Sequence, residues 1–181
     1  MSLRQRVDRI RIERFLQRLG ERFRQPARLY LVGGTTMVFE ELRQQTLDID
    51  VALEVSADAH GALIQAIRAL KDELSVNVEE ASPGDFIPLP AGYASRHEYV
   101  DRFGQIDVWH FDLYSTALSK VARGRVQDVE DVLALLSAGR LAWDKLNACF
   151  RDVLPRMGSA KNTPAWMVTS PPGPPKALAL I

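Results

Sequence analysis

Residues 29–55, LYLVGGTTMVFEELRQQTLDIDVALEV, constrain the fold more than any other part of the chain. Their apolar start ends at Gly33-Gly34, where the backbone can turn tightly or admit a close neighbour. Residues 35–43 have helical composition. From Thr46 onward apolar and polar residues alternate, which is typical of a half-buried strand. The stretch therefore predicts a strand, a glycine turn, a helix and a second strand.

Two carboxylates on that second strand point to a metal ion. Alternation places Asp48 and Asp50 together on one face, opposite the apolar Ile49. Two unit negative charges about 4 Å apart repel by roughly 4 kcal/mol at an effective dielectric near 20. A divalent cation would neutralise this repulsion, and carboxylate oxygens suit the hard ions Mg²⁺ and Mn²⁺.

A phosphate site is predicted beside the two carboxylates. Gly33-Gly34 opens the predicted helix, where free backbone N–H groups and the helix dipole favour an anion. Together with Asp48 and Asp50, this turn describes a site for a metal ion and a nucleoside triphosphate. The structural alternative is an ordinary glycine turn followed by an exposed polar face of a strand.

The segment VGGTTMVFEELRQQTLDIDVALEV resembles the signature of the DNA polymerase β-type nucleotidyltransferase superfamily. That signature is an apolar strand, Gly-Gly or Gly-Ser, a helix, and Asp-x-Asp on the next strand. Within the superfamily the chain is most similar to small bacterial proteins related to the AbiEii-type toxins of abortive-infection toxin–antitoxin systems. Residues 118–136, LSKVARGRVQDVEDVLALL, resemble the Lys…Arg…Asp helix motif of those proteins and follow the first motif in the expected order.

The resemblance implies a third carboxylate on a later strand, within an apolar–acid–apolar triplet. Asp107, between Ile106 and Val108, matches that pattern. It would bind metal or take the proton from the attacking hydroxyl. A structural role for Asp107 is the alternative, and the nearby Asp112 could cap the following helix with Ser115.

The second motif implies cations for the triphosphate, since Lys120 and Arg123 are neighbours on a helix surface. The complete predicted site comprises Asp48, Asp50 and Asp107 as catalytic and metal-binding carboxylates, Gly33, Gly34, Thr35, Lys120 and Arg123 as nucleotide-binding residues, and Asp128 in a supporting role.

The predicted fold class is α/β, of the α+β kind, with a short mixed sheet flanked by helices as in nucleotidyltransferases. We expect one such domain over residues 1–157. It would consist of an amphipathic N-terminal helix (1–25), a core of sheet and helices (28–112) and C-terminal helices (113–157). Residues 158–181 contain SPPGPP and are predicted to form a flexible, proline-rich tail.

Charge and cysteine content exclude several classes of protein. The chain has 23 Lys and Arg against 23 Asp and Glu, so it is not a basic nucleic-acid binder as a whole. The single cysteine, Cys149, permits no disulfide within the chain. No long apolar span is present, which predicts a cytoplasmic protein without a membrane partner. The arginines of the N-terminal helix form either a solvated face or a basic surface for RNA or an acidic partner.

The two motifs and the resemblance that they carry predict a Mg²⁺- or Mn²⁺-dependent nucleotidyltransferase. Such an enzyme moves a nucleoside monophosphate from an NTP to an acceptor hydroxyl. The resemblance implies that the acceptor is tRNA or a protein, that the chain is the toxin of a toxin–antitoxin system, and that an antitoxin is its partner. Two alternatives remain open at this point. The chain could bind nucleotides without turnover, or it could be a scaffold that docks through its arginine-rich helix.

Overall fold

The computed structural model of the chain describes residues 6–157. The predicted tail at 158–181 and the first residues of the predicted N-terminal helix lie outside the described residues. The described chain divides into two compact units. The first contains the residues up to Ser82 together with His97–Phe111, and the second contains Pro83–Arg96 and the residues from Asp112 onward.

Five strands and six α-helices are present in residues 6–157. In chain order they are α1 (Arg9–Arg22), β1 (Ala27–Leu31), α2 (Gly33–Phe39), β2 (Ile49–Val55), α3 (Ala57–Leu74), β3 (Val78–Glu80), β4 (Glu98–Phe103), β5 (Ile106–His110), α4 (Leu113–Arg123), α5 (Val126–Ser137) and α6 (Trp143–Val153).

The first unit is built on a five-stranded sheet with the strand order β3-β2-β1-β5-β4. Strand β1 is antiparallel to β2 and parallel to β5. Strand β2 is parallel to β3, and β4 is antiparallel to β5. The sheet is therefore mixed, which confirms the predicted α/β class.

One face of this sheet forms the hydrophobic core of the first unit. The alternation in β2 buries Ile49 and Val51, as predicted, whereas Leu47 is exposed because the strand begins only at Ile49. Helix α1 contributes Phe15 and Leu19 to the same core. Burial of these apolar side chains from strands and helices is the main favourable contribution to the stability of a unit of this size.

Several arginines of α1 bond to groups at the end of α3. Arg18 and Arg22 both pair with Glu73 of α3, at 2.8 and 2.7 Å. Arg11 donates to the carbonyl oxygens of Leu74 and Ser75. These contacts favour the structural alternative for the basic face of α1.

The second unit differs from prediction at Gly124. The second motif, residues 118–136, predicts a single helix, but Gly124 ends α4 with a left-handed φ of 68°. Asp112 caps α4, since its carboxylate accepts from the N–H groups of Tyr114 and Ser115. The alternative assignment of Asp112 as a cap is thereby confirmed. None of the helices within residues 6–157 is long and apolar enough to cross a bilayer.

Candidate active site

The two carboxylates of the first motif lie at the start of β2. Asp48 directly precedes the strand and Asp50 is its second residue, and both are half-buried. Ile49 between them is fully buried. Asp50 points to the face opposite Ile49, and because Asp48 is only two residues away the Cα atoms of the two acids lie at most about 7 Å apart.

Thr35 ties α2 to this acidic strand. Its hydroxyl oxygen accepts the N–H of Asp50 at 2.7 Å and lies 3.5 Å from the carbonyl oxygen of Asp48, to which it donates. The Thr35 side chain is fully buried. This corrects the predicted contact from Thr35 to phosphate, because the hydroxyl already uses its proton inside the protein. Thr35 instead positions the backbone that carries both carboxylates.

The predicted glycine turn is present and lies against Asp50. Gly33 has a left-handed φ of 56°, and a Cβ added there would stand 2.7 Å from Oδ2 of Asp50. A Cβ at Gly34 would collide with Oγ1 of Thr46. Both glycines thus allow a close approach, and at Gly33 the Asp50 carboxylate packs directly against the glycine.

Replacement of Gly33 by alanine is expected to destabilise the protein by about 1–2 kcal/mol, since an L-residue is strained in the left-handed region. The new methyl group would also displace the Asp50 carboxylate. The rate of nucleotide transfer should therefore fall by more than the loss of folded protein explains. Gly61→Ala in α3 is the matched control, because nothing lies within 4 Å of its added Cβ. Alanine there should stabilise by roughly 0.5–1 kcal/mol. Urea unfolding of the two variants checks both values, and equal stabilities would contradict the strain argument.

Asn77 lies beside Asp48 and was not predicted. Its Nδ2 donates to Oδ1 of Asp48 at 2.7 Å and to Oε1 of Glu79 at 2.9 Å. The local sequence gives no signal for this contact, because it depends on the parallel pairing of Ile49 with Val78. That register places Asn77, the residue before β3, next to Asp48.

The chemistry of the two carboxylates fits a magnesium-type ion. Such an ion is held by one or two carboxylates, completes its shell with water and substrate phosphates, and so needs no all-protein cage. Asp48 and Asp50 are both half-buried, so neither residue is sealed from the solvent that would complete the shell. Within the described residues there is no group of three or more Asp, Glu, His or Cys side chains that could hold a metal by themselves.

Asp107 does not join the two carboxylates. It pairs with Arg28 of β1, whereas the Asp50 carbonyl accepts the N–H of Val32, which follows β1 and is four residues beyond Arg28. Four residues span about 13 Å of strand, so the predicted three-carboxylate site is wrong in its geometry. Asp107 instead forms an ion pair with Arg102, at 2.7 Å. The Arg102 guanidinium lowers the pKa of the Asp107 carboxyl below its ordinary value.

The second motif forms a buried ionic cluster in the second unit. The ammonium of Lys120 lies 2.5 Å from Asp131 and 3.4 Å from Asp128, and the lysine side chain is 2% exposed. Arg123 pairs with Asp128 at 2.5 Å and is 29% exposed. The expectation that Lys120 lies on the surface is therefore wrong, and the supporting role of Asp128 in a nucleotide site stays a prediction. Triphosphate binding by Lys120 and Arg123 stays a prediction.

Comparison with known proteins identifies the family. The family model described as "Nucleotidyltransferase of unknown function (DUF6036)" matches residues 10–167, which include the glycine turn, both carboxylates of β2 and the second motif. No curated protein and no solved structure gives a significant match. The match covers most of the chain, and the chain therefore belongs to this family of nucleotidyltransferases.

Proposed function

We propose that the protein is a metal-dependent nucleotidyltransferase that moves a nucleoside monophosphate from an NTP to an acceptor hydroxyl. The observation that supports it best is the joint placement of Asp48, Asp50 and Gly33. Asp48 and Asp50 flank the buried Ile49 at the start of β2, and the Asp50 carboxylate packs against Gly33 at the start of α2. Membership of a nucleotidyltransferase family supports the same class of reaction.

In the proposed reaction the acceptor oxygen attacks the α-phosphorus of the NTP. A new phosphorus–oxygen bond forms, the bond to the bridging oxygen of the β-phosphate breaks, pyrophosphate leaves, and the proton of the acceptor hydroxyl is released to water. Asp48 and Asp50 would hold Mg²⁺ or Mn²⁺, which supplies positive charge to the phosphate oxygens when bound. Thr35 holds the backbone of both carboxylates in place, and the contact of Gly33 with Asp50 would bring the start of α2, where a phosphate can bind, next to that carboxylate.

The acceptor and the biological role are proposed from the resemblance in the first motif. The likeness to AbiEii-type toxins favours tRNA as acceptor, with a protein side chain as the second choice. In that case the chain is the toxin of a toxin–antitoxin system and binds an antitoxin. The chain has equal numbers of basic and acidic residues, 23 of each. This charge fits recognition of one RNA end better than general nucleic-acid binding.

Label transfer tests the proposal. The purified protein is incubated with each α-labelled NTP in turn, with Mg²⁺ or Mn²⁺, and with total tRNA or total cell protein. We expect label to move to one class of acceptor, from one preferred NTP, and only when the divalent cation is present. This result identifies both substrates. Transfer that persists at full rate in excess chelator would contradict the role of the carboxylates.

One observation favours a second candidate, a protein that binds nucleotides without turnover. Asp107, the third carboxylate that the resemblance implies, lies about 13 Å along the sheet from Asp50. Equilibrium binding of a non-hydrolysable NTP separates the two candidates. Metal-dependent binding without label transfer to tRNA or protein would favour the second candidate.

A further inference from the structure

We propose that Asn77 is a positioning residue for Asp48, and that its side-chain amide sets the affinity of the two-carboxylate site for a divalent cation. The inference rests on the proposed function, from which it takes the cation. It adds a residue that neither the motif nor the family match assigns.

Both hydrogens on the amide nitrogen of Asn77 are donated to carboxylates. Its Nδ2 carries two hydrogens, and one is donated to Asp48 and the other to Glu79, at 2.7 and 2.9 Å. A flipped amide would direct its carbonyl oxygen toward two negative charges. The orientation of the Asn77 side chain is therefore determined by the charges around it.

The backbone of Asn77 is anchored to the same strand. The N–H of Ile49 donates to the carbonyl oxygen of Asn77 at 2.8 Å, and Ile49 lies between the two site carboxylates. Asn77 is thus joined to β2 by its main chain and by its side chain. The Asp48 carboxylate is consequently fixed relative to the backbone that also carries Asp50.

Asn77 is placed like a residue that hydrogen-bonds a metal ligand without touching the metal itself. The amide engages Oδ1 of Asp48, which leaves the other oxygen of that carboxylate for a cation. Donors of this kind orient the ligand, and their loss typically weakens metal binding about 10–100-fold. Without Asn77, Asp48 and Glu79 would also face each other across neighbouring strands with no donor between them.

Direct binding of Mn²⁺ to the nucleotide-free full chain tests the inference. Free Mn²⁺ is measured by electron paramagnetic resonance in a titration of wild type, Asn77→Ala and Asn77→Ser. Serine is too short to reach both carboxylates but keeps a polar residue at this half-buried position, so it guards against misfolding of the alanine variant. We expect the Kd for Mn²⁺ to rise about 10–100-fold in both variants. Asn147→Ala removes the same amide from α6 in the second unit and should leave the Kd unchanged.

The kinetics distinguish a positioning role from a merely structural one. The KM for Mn²⁺ in label transfer should rise in Asn77→Ala, while kcat at saturating Mn²⁺ stays close to wild type. A structural role would instead lower the active fraction, and with it kcat, at every Mn²⁺ concentration. Wild-type and Asn77→Ala chains that bind Mn²⁺ equally would overturn this inference alone. A wild type that binds no Mn²⁺ would overturn the proposed cation site, and this inference with it.

Discussion

Alanine at both Asp48 and Asp50 is expected to lower label transfer by at least about 10³-fold. A bound divalent cation supplies several kcal/mol of charge stabilisation in phosphoryl chemistry, and each 1.36 kcal/mol corresponds to a factor of ten in rate. Both side chains are half-exposed, and the buried Ile49 that anchors the strand is untouched. We therefore expect the double variant to fold, with a melting temperature within a few degrees of wild type.

Glu54→Ala is the matched control for this prediction. Glu54 is a carboxylate on the same strand and the same face, four residues from Asp50, and it binds Arg28 and Tyr30. Its loss should leave transfer close to the wild-type rate. If the Asp48→Ala/Asp50→Ala variant is folded and transfers at the wild-type rate, the two carboxylates are not the active site.

The first motif could be predicted from sequence because its structure is local. Strict alternation fixes which residues of β2 share a face, and the pair of glycines marks the turn between β1 and α2. The roles of Asp107 and Asn77 depend instead on how distant strands align. An apolar–acid–apolar triplet does not reveal the register of β5 against β1, and that register places Asp107 opposite Arg28.

Thr35 illustrates a second limit of the sequence. A hydroxyl two residues into a glycine turn has the right chemistry for a phosphate contact, and the local pattern cannot show what else it touches. In the structure its partners are the backbone groups of Asp48 and Asp50, thirteen and fifteen residues away. The residue serves the same site, but through the strand rather than through the ligand.

The sequence predicts a surface position for Lys120 because Lys120 and Arg123, three residues apart, are neighbours on a helix surface. A single helix through residues 118–136 gives no sign of a buried partner for the lysine. Eleven residues of continuous helix would separate Lys120 from Asp131 by about 16 Å along the axis. Because α4 ends at Gly124, the chain changes direction there, and α5 brings Asp131 next to the ammonium of Lys120. A single break in helical structure thus decides whether the lysine is a surface cation or a core ion.

Lys120→Met is expected to lower the free energy of unfolding by about 3–5 kcal/mol, because it removes the buried ammonium that pairs with the buried carboxylates of Asp128 and Asp131. Urea unfolding followed by circular dichroism measures this loss. Adding Asp131→Asn to Lys120→Met should recover part of it, since one buried negative charge is then removed. Arg123→Ala is the control and should cost less, because that side chain is 29% exposed. A Lys120→Met chain that keeps wild-type stability but loses NTP binding would show instead that the ammonium serves the triphosphate.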